Sequence, residues 1–401
     1  MNCLLITNHF YPESFRCNDV AFELVKRGHK VTVLTGIPDY PEGKFHKGYS
    51  LFKRRRENIN GVKVIRVPII PRGNGKALRM IINYISGIFS FNFYALYLAL
   101  FYKFDNIFIH DTSPAFICLP AVLIKKIRKT PIDLWILDMW PQSLVAGGIN
   151  NKKIYKAIDL MMDFVYRNSS IIHISSLGFR KLLSERNVPN EKIEYLPNWS
   201  DDAITNGEDT QIPSLPEGFR IMFAGNIGEA QNMENVMKAA LLLKEHKNIH
   251  WVFLGDGRKK EWVDNFVKEN NLEDTVHLLG RFPINTMGSF FKRADAMLVS
   301  LTDNLVFNLT LPAKVQAYMS CSKPIVTMLN GEGKDIIEKA ECGWCAGSND
   351  YEKLASIILE ISSLPKKELE AIGKNGYDYY MNNFHKDICI GRIEQSLINL
   401  S

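Results

Sequence analysis

Apolar runs about five residues long recur along the chain, separated by amphipathic stretches of helical period. Asn2–Thr7 is the first run, and the helical stretch Asn18–Arg27 follows and ends at Gly28. Lys30–Thr35, Lys63–Val67, Asn106–His110, Ile132–Leu137 and Ile171–Ile174 continue the series. Strands alternating with helices predict right-handed βαβ units and a parallel sheet. The polar, turn-rich stretch 199–218 breaks the alternation and reads as a linker. The pattern restarts with strand Arg220–Ala224, helix Met233–Glu245 and strands Ile249–Leu254, Val276–Leu278, Ala296–Ser300 and Pro324–Met328. The expected architecture is α/β, with two Rossmann-like domains whose parallel sheets face one another across a cleft. Residues 1–200 form the first, 201–380 the second, and 381–401 a closing helix.

One segment departs from this rhythm. Met80–Tyr102 runs 23 residues without a charge, which raises the question of a membrane span. Arg79, Asn83, Ser86 and Ser90 fall on one helical stripe, and eight of the 23 residues are aromatic. The strand at Asn106 follows directly. These features favour a helix lying in a membrane interface, with an ordinary buried helix as the alternative. Lys53–Arg56, Lys125–Lys129 and Lys152-Lys153 are basic runs nearby. Met1–His9 lacks the basic start of a signal peptide and reads as a strand.

Charge sharpens the division. Residues 1–200 hold 28 Lys and Arg against 15 Asp and Glu, and residues 201–401 hold 21 against 28, giving +13 and −7 and a net +6. A basic first half favours an anionic surface such as phospholipid, a lipid diphosphate or nucleic acid. The 401 residues, 46% hydrophobic and 23% charged, exclude a disordered or fibrous chain. Seven irregularly spaced cysteines argue against a disulfide framework.

Candidate chemistry gathers at strand ends. Gly225-Asn226-Ile227-Gly228 lies between a strand and a helix, where glycines admit an anion to backbone N–H groups; Asn226 and Gln231 add hydrogen bonds. Thr310, Leu311, Pro312 and Ala313 open a helix whose free amides, with Lys314 beside them, suit a diphosphate. Arg281 is placed to pair with phosphate or base, and Phe282 to stack. In the first half, Tyr11, Pro12 and Glu13, then Asp39 and Tyr40, then His110 and Asp111, then Asp138 and Trp140, each follow a strand and predict one polar rim. No D-x-D triplet, Walker A or H-E-x-x-H occurs, and no metal is expected. Cys342–Cys345 is a single C-x-x-C in an expected loop, so neither zinc nor redox chemistry is indicated.

In order, FYPE at 10–13, ELVKRGHKVTVLTG at 23–36, PDYPEG at 38–43, LDMWPQS at 137–143, LPNWSD at 196–201, FAGNIGEAQ at 223–231, LGDG at 254–257, LGRFP at 279–283 and LPAK at 311–314 resemble the family 4 glycosyltransferases of GT-B fold across nearly the whole chain. Within them the likeness is greatest to O-antigen transferases that add N-acetyl-L-fucosamine. The resemblance implies a UDP-sugar donor on the second domain. It implies an undecaprenyl-diphosphate-linked sugar acceptor on the first, no cofactor and no nucleic acid. The place implied is the cytoplasmic side of the inner membrane, attached peripherally to its anionic surface. Lys314 and Arg281 would stabilise the leaving group. Two departures stand out: Ala317 and Leu309 occupy the positions of the family's ribose-binding Glu and the upstream Glu, and Asn226 and Gln231 replace the family's phosphate-binding Arg/Lys pair in the glycine loop, so Arg281 and Lys314 would have to compensate. The family usually retains anomeric configuration without a protein base; an inverting enzyme would draw one from Glu13, Asp39, His110 or Asp111. A UDP-sugar 2-epimerase of similar fold, and a membrane scaffold without activity, are the alternatives.

Overall fold

The computed structural model describes residues 1–73, 77–146, 151–205 and 211–401. It divides into two compact units, Met1–Leu196 with Ile390–Ser401, and Pro197–Cys389. The first sheet contains β1 (Asn2–Thr7), β2 (Lys30–Gly36), β3 (Arg56–Ile59), β4 (Val62–Val67), β5 (Asn106–Asp111), β6 (Ile132–Ile136), β7 (Ile171–Ile174) and β8 (Ile193–Tyr195). Their spatial order is β3-β4-β2-β1-β5-β6-β7-β8, parallel except for β3 against β4. The second sheet contains β9 (Phe219–Ala224), β10 (Ile249–Leu254), β11 (Val276–Gly280), β12 (Ala296–Ser300), β13 (Ile325–Met328) and β14 (Gly343–Ala346), in the order β11-β10-β9-β12-β13-β14, all parallel. Two doubly wound sheets of this kind put their ligand-binding loops at the carboxyl ends of the strands.

Three strands are absent from the apolar pattern. β3 is polar and sits on an edge, β8 has three residues, and β14 carries the C-x-x-C stretch expected in a loop. Burial pushes the Cys342 thiol up to about 12 and the Cys345 thiol upward, so neither is a reactive thiolate. The stretch 199–218 contains a short helix, Asp202–Thr205; residues 206–210 lie outside the described residues.

The helix Ala77–Phe101 reverses the usual amphipathic sense. Its polar stripe points inward: Arg79 Nε donates to Pro71 O, Asn83 Nδ2 to Ile70 O, and Ser90 Oγ to Pro68 O, while Ser86 Oγ accepts from Ile70 N. These bonds satisfy the backbone leaving β4, which has no ladder partner there. Phe91, Ala95 and Leu98 are buried, and Gly87 admits the ring of Phe116. Leu78, Ile81, Ile85, Phe89, Phe93, Leu96 and Leu100 step by three or four residues along the opposite, exposed face. Leu78, Phe89 and Phe93 are exposed by 70%, 73% and 70%. The helix is thus neither wholly buried nor polar on its outer side.

The last helix, Lys386–Leu400, is pinned to the first sheet. Ile390, Ile393 and Leu397 are fully buried. Ser396 Oγ donates to Asp133 Oδ2 at 2.6 Å, and Asp133 Oδ1 lies 3.0 Å from His173 Nε2. Glu394 bridges Arg27 and His29 at 2.8 and 2.6 Å. Burial alone would lower the His173 pKa, but the Asp133 charge and hydrogen bond, with Glu194 beyond, raise it. A raised folded-state value means that the pair's stabilisation is complete at acid pH and is lost as pH climbs through that value. Asp133→Ala leaves a buried imidazole without its partner and should cost about 3–5 kcal/mol, read from urea unfolding. The wild-type midpoint should fall from mildly acidic to alkaline pH more steeply than that of His173→Phe.

Candidate functional site

The second unit builds an anion cradle from three loops at strand carboxyl ends. β9 ends at Ala224, and Gly225 turns the chain at φ 145°. Gly255, after β10, has φ 141°, and a Cβ there would stand 1.8 Å from Gly225 O. A Cβ on Gly257 would stand 2.3 Å from Ile227 O. The two loops therefore meet backbone to backbone, which only glycine permits. The third part is the helix Ala313–Ser320, with Pro312 at its N-cap. Lys314 Nζ sits 4.0 Å from the centroid of the Phe223 ring and donates to Gln231 Oε1. A Cβ on Gly225 would lie 2.7 Å from Lys314 Cε, so the ammonium stem lies directly over the glycine turn. Burial holds the Lys314 pKa down at about 7. One turn further along the helix, the Tyr318 hydroxyl accepts from Ala224 N at 3.0 Å and donates to Ala224 O at 3.2 Å, which fixes the end of β9.

Beside this cradle is a cavity of about 280 Å³ lined by Gly225, Asn226, Asp256, Arg281, Phe282 and Ile284, among others. The Phe282 ring packs 4.7 Å from Phe290, and the exposed Arg281 makes a loose pair with Asp256 at 3.9 Å. Gly225, Asn226, Gln231, Lys314, Arg281 and Phe282 are thus gathered in one unit. Gly228 is buried against the Asn226 amide. The Thr310 hydroxyl donates to Val306 O at 2.7 Å and Leu311 is buried, so these two shape the loop, whereas Ala313 is exposed. Gln316 is buried, and its Oε1 has no hydrogen-bond partner among the described residues.

In the first unit the expected rim divides into surface and interior. Tyr11 and Tyr40 are exposed, and Pro12 is half-buried. Asp138 accepts from the backbone N and hydroxyl of Ser113 at 3.2 and 2.8 Å. Trp140 is buried with its Nε1 unpartnered among the described residues. His110 and Asp111, expected on the rim as bases, belong to β5, a central strand that carries them inside the domain. Burial drives His110 to about 3 and raises Asp111 well above the carboxylate range, so neither is an accessible base. Asp39 is also buried; its carboxylate accepts from the Arg72 backbone at 3.0 Å and pairs with the Arg72 guanidinium at 3.4 Å. That contact makes Asp39 a brace for the loop after β2, not an exposed acceptor ligand.

Glu13 is buried and meets a residue that strand-end spacing does not single out, His9. The signal was present as a His and a Glu four positions apart around the FYP turn. Donor atoms of His9, Glu13 and Asp39 lie within 4.8 Å of one another, as a metal triad's would. Glu13 Oε1 already accepts backbone N–H bonds from Asp39 and Tyr40, and Asp39 is neutralised by Arg72. A cation would have to displace these donors, so the set does not fit one.

Two family models match this chain: a glycosyl transferase 4-like domain at residues 15–199 and glycosyl transferases group 1 at residues 208–379. The probable glycosyltransferase WbjE of Pseudomonas aeruginosa is 26% identical over 318 residues, 76% of this chain and 78% of its own length. The putative colanic acid biosynthesis glycosyl transferase WcaI of Escherichia coli is 26% identical over 321 residues, 75% and 76% of the two chains. The crystal structure of Anabaena Alr3699/HepE in complex with UDP superposes with a TM-score of 0.70 at 13% identity, over the whole of both chains. With two Rossmann-like units and both family models matched in order, the chain belongs to the family 4 glycosyltransferases and is a transferase of GT-B fold.

Proposed function

We propose that this enzyme transfers a sugar from a UDP-linked donor to a sugar carried on a lipid diphosphate, at the anionic face of a membrane, in the assembly of a bacterial surface polysaccharide. The observation that carries the donor half is the Lys314 ammonium held over Phe223 and the Gly225 turn. A desolvated cation beside free helix amides is a site for a diphosphate. As the glycosyl bond breaks, negative charge grows on the departing phosphate, and Lys314 and the loop amides meet it without a metal ion. The cavity at Phe282 and Arg281 is sized for a base. The HepE complex with UDP supports the nucleotide, and the name of WcaI, with its colanic acid biosynthesis, supports the polysaccharide context. N-acetyl-L-fucosamine on an O-antigen intermediate is the sugar and product that the sequence resemblance favours.

The membrane half rests on the exposed apolar stripe of Ala77–Phe101 together with its basic flanks. Arg55 donates to the Tyr94 hydroxyl at 2.6 Å, Arg56 stands 5.7 Å over the Tyr97 ring, and Arg128 caps the helix at Ala99 O and Leu100 O. Phe52 is almost fully exposed beside this run. Apolar side chains ringed by cations match an anionic bilayer surface, on the cytoplasmic side where nucleotide sugars are made.

The decisive assay offers UDP-, GDP- and dTDP-sugars with a lipid-diphosphate N-acetylglucosamine acceptor and weighs the product, with a chelator in one arm. Transfer from a UDP-sugar that survives chelation supports the reading; a strict need for restored divalent ions overturns its leaving-group half. Lys314→Ala should lower kcat about 10²–10³-fold with an unchanged melting curve. Because free Lys314 titrates near 7 and a bound diphosphate favours its charged form, donor binding at alkaline pH should take up a proton. Calorimetry in buffers of different ionisation enthalpy reads this uptake, and Lys314→Ala should abolish it. Phe89, Phe93 and Leu96 changed together to Ser should release the protein from vesicles containing anionic lipid; unchanged sedimentation would remove the helix from the membrane.

A further inference from the structure

Beyond β2 the chain forms a fixed loop on the first unit. Gly43 N donates to Asp39 O at 2.7 Å, His46 N to Pro38 O at 3.0 Å, and Gly73 N to Gly43 O at 2.8 Å. Gly43 has φ 69°, and a Cβ there would stand 2.0 Å from Gly73 O, so only glycine closes the loop. His46 Nε2 donates to Tyr40 O at 2.8 Å. From this loop Lys44, Lys47 and Tyr49 line a cavity of about 650 Å³, whose other walls include Tyr11 and Pro12, past β1, and Arg54, just before β3. Arg66, only 1% exposed, ties these walls together: Nη2 donates to Tyr11 O at 2.7 Å, and Nη1 to Arg54 O at 3.4 Å and to Glu57. Its guanidinium stands 4.8 Å from the Tyr49 ring, and that of Arg54 stands 5.5 Å from the same ring.

Lys44, Lys47 and Arg54 line this cavity against one carboxylate, Glu42, which lies 4.0 Å from His46. Lys44 and Lys47 are exposed, and neither has a hydrogen-bond or ion-pair partner among the described residues. Arg54 reaches Glu57 only at 3.8 Å, and that carboxylate is already bonded to Arg66. The lining thus keeps a surplus of two positive charges. A diphosphate esterified at both ends carries two negative charges and matches it; a phosphodiester headgroup carries one and leaves half of it unmet. The volume is that of a small-ligand site. The cavity also has a direction. Tyr11, exposed, belongs to the rim at the end of β1. Next to Arg54, Arg55 donates to Leu51 O at 3.0 Å and to the Tyr94 hydroxyl of Ala77–Phe101 at 2.6 Å, and Phe52 is exposed by 93%. The site therefore runs from the rim toward the helix with the apolar outer face.

We propose that this cavity seats the diphosphate of the lipid-linked acceptor, held by Lys44, Lys47 and Arg54, with the acceptor sugar toward Tyr11 and the lipid toward Phe52 and the helix. The inference rests on the function proposed above and adds to it the place where the acceptor's charge is read. No bond is made or broken there. The cations bind the diphosphate alike before and during transfer, and the fixed loop sets how far the sugar extends from it. Membrane attachment and diphosphate binding are then separate contributions: the apolar helix face meets the bilayer, and the cavity distinguishes a diphosphate-borne sugar from other glycolipids.

The test uses the full-length enzyme with UDP-sugar, in neutral detergent free of phospholipid. Two acceptors are compared: N-acetylglucosamine on a prenyl diphosphate, and the same sugar on the prenyl alcohol alone. Wild type should use the first about tenfold better or more in kcat/KM. Lys44→Gln combined with Lys47→Gln should raise the KM for the first acceptor about tenfold, and Arg54→Gln should raise it as well. The loss should fall on KM and not on kcat, as expected for a contact kept unchanged through the reaction. The KM for the second acceptor and the melting curve should stay as in wild type. Lys152→Gln with Lys153→Gln removes the same charge elsewhere on the unit and should change neither KM. An equal rise in that control, or a diphosphate preference that survives in the cavity variants, overturns the inference alone. A loss that appears only when anionic vesicles are added assigns these cations to phospholipid headgroups and also overturns it. If the wild type turns over no lipid-diphosphate acceptor with any nucleotide sugar, the proposed function fails and the inference with it.

Discussion

An ammonium group stripped of most of its water sets the terms of the donor unit. Lys314 has an aromatic face beneath it and one amide as polar partner, a weak exchange for hydration, and its depressed pKa records the deficit. Such a cation would gain most from a polyanion, which is why the proposed function puts the diphosphate there. The surrounding architecture serves that approach. Gly225, Gly255 and Gly257 let two loops touch through their backbones, and Tyr318 locks the end of β9 in place. The family's Glu is missing at position 317, and Asn226 and Gln231 stand where the family has a cation pair, so Lys314 is the buried cation of this cradle.

The first unit is built differently, around a helix that presents an apolar outer face. The inward polar stripe of Ala77–Phe101 makes this possible. Asn83, Ser86 and Ser90 are spent on the backbone at 68–71, so the helix is anchored by hydrogen bonds and need not bury all of its apolar side chains to stay attached. The outward residues then stay exposed. The basic surplus lies in the first half, +13 against −7 in the second, and so falls on the unit that carries this helix.

Much of this was legible in the chain. Buried parallel strands are written as apolar runs, and β1, β7, β10 and β12 follow their runs residue for residue. The strands that escaped, β3, β8 and β14, are edge or near-edge elements, where one neighbour suffices and apolar content is not required. The glycine loops and Lys314 stood out in the chain, although a plain βα turn and an ordinary helix start read the same way there; burial of Lys314 over Gly225 separates them. The acceptor rim was harder, since a polar residue after a strand can face solvent, brace a loop or lie inside the sheet, and spacing does not separate the three. Asp39 braces Arg72, His110 lies within β5, and Tyr40 faces out, although all three stand at or just past the carboxyl ends of strands.

The two histidines at the carboxyl end of the first sheet show how placement, not residue type, decides chemistry. His110 ends a central strand and touches Thr7 Oγ1 and the edge of Trp135; no carboxylate compensates its burial, and its pKa drops to about 3. It cannot carry a proton at neutral pH. His9 lies two residues past the end of β1, where the chain has left the sheet and folds Glu13 back beneath the ring. Glu13 in turn is held by the backbone N–H groups of Asp39 and Tyr40, a set of partners that His110 lacks. The turn through Phe10, Tyr11 and Pro12 is therefore more than a connection: by returning Glu13 to His9, it braces the end of β1 with a buried carboxylate.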